Sequence, residues 1–167
     1  MITNGLYDPT HRGDVAAVVE WLRTYPDDLN APIGDGYTPL HVAALFGHET
    51  LVRELIADGA LVNVEASNAS HANALHAAVC FRDEEIADRI ARVLIECGAE
   101  LNSPQAGGVT ALHHAVNRCS LKLVQTLIEA GADPFLKDDQ GRSPSDLAKL
   151  LAEPQMSTAL RGAFSLV

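Results

Sequence analysis

Apolar side chains recur three and four residues apart in several stretches of this chain. Leu51, Val52, Leu55 and Ile56 form one such stripe, and Leu123, Val124, Leu127 and Ile128 repeat it. That spacing predicts amphipathic helices with one buried face. A shorter apolar stretch precedes each stripe. Leu40, Ala43 and Ala44 begin the first of these, and the small alanines suit close packing of neighbouring helices. Thr38 can cap this short helix through its side-chain oxygen. Pro39 at the first helical position gives up no needed donor. Gly47 ends the helix, and Gly59 and Gly131 end the longer ones, where a left-handed residue is easiest.

The pattern is periodic. Thr38-Pro39-Leu40-His41 returns as Asn73-Ala74-Leu75-His76, as Thr110-Ala111-Leu112-His113 and, decayed, as Ser143-Pro144-Ser145-Asp146. A second marker, Gly59-Ala60-Leu61-Val62-Asn63, returns at Gly98-Ala99-Glu100-Leu101-Asn102 and at Gly131-Ala132-Asp133-Pro134-Phe135. From Asn30 to Asn63, from Gly98 to Gly131 and from Thr110 to Ser143 the interval is 33 residues each time. Two motifs at fixed offsets in such a period mark stacked units that cannot bury their faces alone.

On these motifs the chain resembles the ankyrin-repeat family over essentially its whole length. The resemblance implies an all-α solenoid of stacked helix-turn-helix units with short β-turn fingers, about five units counting the caps. They divide as an N-terminal cap unit over 1–34, repeats over 35–67, 68–104 and 105–137, and a C-terminal cap unit over 138–167. Pro9 falls where the family has a helix alanine, so the first helix is expected to be broken or short, with Asp8 as a candidate cap. Leu147, Leu151, Met156 and Leu160 are expected to cover the last interface.

The third unit departs from the period. Its finger, Ala66 to Ala72, is two residues longer than its counterparts, and the span from Asn73 to Gly98 exceeds that from Thr38 to Gly59 by four. Four residues is about 1.1 helical turns. A longer second helix beginning near Asp83-Glu84-Glu85 would keep Ile86, Ile90 and Leu94 on one face; a longer inter-helix loop is the alternative.

Composition narrows the function. The 167 residues are 47% hydrophobic and 20% charged, with a net charge of -10. That balance argues against nucleic acid and anionic membranes as partners. No apolar run approaches the roughly twenty residues of a membrane span, and no signal peptide is visible. Cys80, Cys97 and Cys119 are odd in number and form no CxxC pair, so free thiols in a reducing cytoplasm are expected. A monomer is expected too.

Little in the sequence suggests catalysis. His41, His76 and His113 share one motif position, and in this family that ring is structural, bonded to backbone in the neighbouring turn. Adjacent His113 and His114 point about 100° apart and do not easily share a metal. A zinc site of His114 with Cys80 and Cys119 can be drawn across two units, but no ligand spacing supports it. Asp138-Asp139-Gln140-Gly141 lacks the further carboxylates of a calcium loop.

A surface remains. Family members bind partners through finger tips and the concave faces of the first helices. Those positions correspond here to Tyr37 on a finger, His114 on the concave helix face, and Leu45-Phe46, Cys80-Phe81 and Asn117-Arg118 at first-helix ends. Clustered large apolar groups there imply a protein-binding patch. The alternative is that Phe46 and Phe81 fold back onto neighbouring helices as extra core. The expected function is non-enzymatic protein binding without a cofactor. Two rivals are a dedicated inhibitor or immunity protein for a basic enzyme or toxin, and a metal-dependent enzyme using His114 and the cysteines.

Overall fold

The computed structural model describes residues 5–151 and 154–162; the expected outer ends of both cap units lie outside the described residues. Ten α-helices form among the described residues: α1 (Tyr7–Arg12), α2 (Val15–Thr24), α3 (Pro39–Leu45), α4 (Glu49–Ala57), α5 (Ala74–Cys80), α6 (Glu84–Glu96), α7 (Ala111–Asn117), α8 (Leu121–Glu129), α9 (Pro144–Leu150) and α10 (Pro154–Gly162). The architecture is an all-α solenoid. Its short helices make one layer, α1 on α3 on α5 on α7 on α9, and its longer helices a second, α2 on α4 on α6 on α8 on α10. Each helix touches its own pair-mate and its stacking neighbours, so one elongated core runs between the layers.

Two ladders of hydrogen bonds tie successive units along the edges. On the finger side, backbone N–H groups of Ser67, Ala106 and Asp139 donate to the carbonyls of Gly36, Ser70 and Gly107 at 2.8–2.9 Å. On the opposite edge, Asn30, Asn63 and Asn102 accept from the N–H of Leu61, Glu100 and Asp133 at 2.8–2.9 Å. The recurrent asparagine of the second sequence marker is thus a cross-unit clasp.

The gain in the third unit is helical. α6 has 13 residues, against nine in α4 and α8, and Asp83 caps it by accepting from the N–H of Ile86. Ile90 and Leu94 are fully buried on its inner face, and Ile86 packs beside them. The added turn is anchored on both sides. Glu84 accepts from Ser120 Oγ, and Glu85 pairs with Lys122. One turn further on, Arg89 reaches Glu49 of α4 at 2.7 Å, and buried Asp88 holds Thr126 Oγ1 and Arg92.

At the ends, α1 is short as expected, while the Asp8 cap and the covering role of Leu151 need correction. Pro9 leaves α1 short but unbroken, because it sits in the first turn, where a missing N–H costs nothing. Asp8 lies inside that helix and does not cap it; Leu6 holds the cap position. At the other end Leu147, Met156 and Leu160 are buried, but Leu151 is 41% exposed. α9 stops at Leu150, so Leu151 leaves the buried stripe. Asp146, which replaces the motif histidine, still completes the helix start by accepting from Ser143 Oγ at 2.8 Å.

Candidate functional site

The first-helix layer presents the residues singled out in the sequence. α3, α5 and α7 each have seven residues and start from a capping box in which motif residue and histidine bond each other. Their repeated length brings equivalent positions into rows. Leu45, Cys80 and Asn117 make one row, and Phe46, Phe81 and Arg118 the next.

The second row is occupied with packing. Phe46 is half-buried and meets the His11 ring edge-on, with centroids 4.2 Å apart. Phe81 is half-buried over Gly47; a Cβ on that glycine would lie 2.4 Å from its ring. The Arg118 guanidinium donates to the Val79 carbonyl at 2.7 Å and the Arg82 carbonyl at 3.3 Å. It closes acceptors that the end of α5 leaves open. Each of these side chains reaches back onto the preceding unit. The alternative in which Phe46 and Phe81 fold back onto neighbouring helices thus holds in part, and Arg118 is engaged in the same way. All three keep an open side.

The remaining positions differ in exposure. Tyr37 and Leu45 are half-buried against the core, with the Tyr37 ring 5.7 Å from that of His41. Cys80 and Asn117 are exposed. The protein packed behind the Cys80 thiol raises its pKa, and nearby Arg118 offsets only part of this. A raised thiol pKa lowers the thiolate fraction and hence nucleophilicity. His114 opens only partly onto this face. It is half-buried, its Nε2 is buried without a partner among the described residues, and its ring stands edge-on to His76 at 6.2 Å. Burial lowers its pKa, with His113 and Arg118 adding to the effect.

Chemistry at this face is limited. No group of three or more His, Cys, Asp or Glu side chains among the described residues is placed to hold a metal ion. His114, Cys80 and Cys119 are thus not brought together as such a group. Of the motif histidines, His41 and His113 bond the carbonyls of Ala72 and Arg142 in the next finger, at 2.8 and 3.1 Å. The His76 ring interacts with the backbone carbonyls of Val109 and Ser103, which favour its charged form, but its Nε2 makes no hydrogen bond of regular geometry among the described residues. No helix among the described residues is long and apolar enough to cross a membrane.

The residues that seat the row, His11 and Gly47, escaped the sequence reading. Gly47 was legible only as a helix terminator. Its φ of +76° and the Phe81 ring above it give it two duties. Gly47→Ala is expected to cost about 1–3 kcal/mol from left-handed strain and displacement of that ring. Gly141→Ala, at a φ of +75° but facing open space, should cost less. Thermal melts of the two variants compare them directly.

A solenoid of paired helices joined by fingers and asparagine clasps defines a repeat-protein class, and comparison with known sequences identifies which one. Residues 10–105 match a model of ankyrin repeats in three copies, and residues 94–148 match a second ankyrin-repeat model. The chain belongs to the ankyrin-repeat family, whose repeats are protein–protein interaction modules. It is 33% identical over 124 residues to an ankyrin repeat-containing protein of Treponema pallidum, covering 74% of this chain and 40% of that protein. It is 31% identical over 149 residues to the tyrosine-protein kinase Shark of Drosophila melanogaster, covering 89% of this chain and 15% of the kinase. It is also 31% identical over 122 residues to the mouse B-cell lymphoma 3 protein homolog, covering 73% of this chain and 26% of that protein. The chain thus spans well under half the length of each.

Proposed function

We propose that this chain is a non-enzymatic binding module whose protein partner lies along the first-helix layer and its fingers. The observation that carries this reading is the arrangement of that face. Exposed Cys80 and Asn117 and half-buried Tyr37, Leu45, Phe46, Phe81, His114 and Arg118 lie along one stack of helices. The cross-unit contacts of Phe46, Phe81 and Arg118 hold the row in register before any partner arrives. A preorganised face spends less of its binding energy on ordering side chains.

Asn117 is the position to test, because it is exposed and its side chain has no partner to lose among the described residues. Once a partner has been captured from the native host and identified, calorimetry compares two bulky substitutions. Asn117→Trp should weaken binding on the order of ten-fold or more with an unchanged melt. Glu54→Trp, on the exposed side of α4, should bind as the unaltered chain does. The reverse result would place the partner on the other layer. Phe81→Ala should lower both affinity and melting temperature, since Phe81 also packs on Gly47.

The net charge of -10 favours a second, narrower reading, in which the partner is a basic enzyme that the chain inhibits. Association would then slow steeply as salt rises. A salt-independent association rate counts against it.

A further inference from the structure

The three motif histidines differ chemically, and the difference begins three residues upstream. Thr38 and Thr110 place hydroxyls 2.8 Å from Nδ1 of His41 and His113. A hydroxyl can donate to Nδ1, which leaves the ring proton on Nε2. That N–H then donates to the Ala72 or Arg142 carbonyl. The third unit has Asn73 instead. Its Oδ1 accepts from the N–H of Leu75 and of His76, both at 3.1 Å, and these bonds fix which way the amide faces. The same oxygen lies 2.7 Å from His76 Nδ1. The Asn73 N–H also points at this Nδ1, at 3.3 Å; an amide oxygen has no proton to give, so the shorter contact to Oδ1 favours a proton on Nδ1 and a bare lone pair on Nε2. Val109 stands where Ala72 and Arg142 stand in the other units, but its carbonyl offers that lone pair only another acceptor.

His76 is 2% exposed, and its Nε2 has no partner among the described residues. Against it, from the fourth unit, packs His114, whose Nε2 is buried and equally unpartnered. The equivalent positions elsewhere hold Val42, Ala77 and Leu147, which do not titrate. Two neutral imidazoles therefore meet where the other junctions have at most one.

We propose that the contact between the third and fourth units is an acid-sensitive joint, in which proton uptake by His76 or His114 loosens the packing of α5 on α7 while the first two units stay folded. The charged and titratable groups acting on the two rings are His41 from α3 and His113 and Arg118 from α7. Among the described residues no carboxylate acts on either ring, and what favours a charged His76 is the Val109 and Ser103 backbone carbonyls. Burial, the largest cause, and the neighbouring His114 hold His76 down to about 4. A protonated His76 could donate to the Val109 carbonyl, which offsets only part of that cost. The sign follows from linkage. Both rings titrate lower in the folded chain than the usual 6.5 of an unfolded one. The stabilising contribution of neutral His76 is complete above about pH 6.5 and is lost as pH falls toward about 4, and that of His114 changes in the same direction. Because each unit contacts only its neighbours, the opening can stay local.

The test is hydrogen exchange with peptide resolution at pH 7 and at about pH 4.5, corrected for intrinsic rates. On acidification, amides of α5 and α7 should lose protection on the order of ten-fold more than those of α2 and α4. His114→Val, which installs the residue of the second unit, should abolish most of that difference. Equal loss in all helices, or an unchanged loss in the variant, would overturn the proposal. Nitrogen NMR of the imidazoles tests its origin without a core substitution. His76 should carry its proton on Nδ1, His41 and His113 on Nε2, and Asn73→Thr should move the His76 proton to Nε2. A proton already on His76 Nε2 in the unaltered chain would also overturn it.

Discussion

A chain ending at residue 138 is expected to lose its cooperative thermal transition or to aggregate. α9 packs on α7, and α10 on α8. Leu147, Ala148, Met156 and Leu160 are buried in those contacts. Each large apolar side chain among them contributes about 1.5–3 kcal/mol when buried, so the three together stabilise the end of the stack by on the order of 5 kcal/mol. Two polar losses add to this. His113 Nε2 loses the Arg142 carbonyl, and buried Asp138 loses the Arg142 guanidinium that pairs with it at 2.8 Å. Size-exclusion chromatography and a thermal melt of the shortened chain check this. Unchanged solubility and an unchanged midpoint would mean that α9 and α10 do not cap the stack.

Truncating a single core leucine should have the next largest effect. Leu127 in α8 and Leu55 in α4 are at most 1% exposed, at matching positions of two units. Leu→Ala at either should cost about 2–5 kcal/mol, since the packed layers cannot fully collapse onto the cavity. For a chain of this size each kcal/mol lowers the melting temperature by about 2–4 °C. Leu151→Ala, at an exposed position, should move it by less than about 2 °C. A calorimetric melt of the three variants ranks them, and a Leu151 effect equal to that of Leu127 would contradict the assignment of α9's end.

The period and both motifs were legible in the sequence because they report local needs: a helix start, a helix stop, an apolar stripe. The extra turn of α6 was legible as one of two readings, since helical added residues keep Ile86, Ile90 and Leu94 in phase, but spacing alone left a longer loop open. Leu151 shows where that logic fails. Helical spacing from Leu147 points to Leu151, but the helix stops at Leu150, and Pro154 is the nearby signal of that end. Contacts between units were harder to read. Nothing local to Arg118 says that it will reach the carbonyls of Val79 and Arg82, and nothing local to Gly47 says that Phe81 will lie on it. These contacts depend on how one unit stacks on the next, a distance of more than thirty residues in sequence. The replacement of threonine by Asn73 was visible as a motif variant, but its effect on the His76 proton required the distances.

Hydrogen exchange of the complex with its captured partner tests the central claim most directly. The account predicts that protection gained on binding is confined to the fingers and to α3, α5 and α7, with exchange in α4, α6 and α8 unchanged. New protection concentrated on α4, α6 and α8 would contradict it.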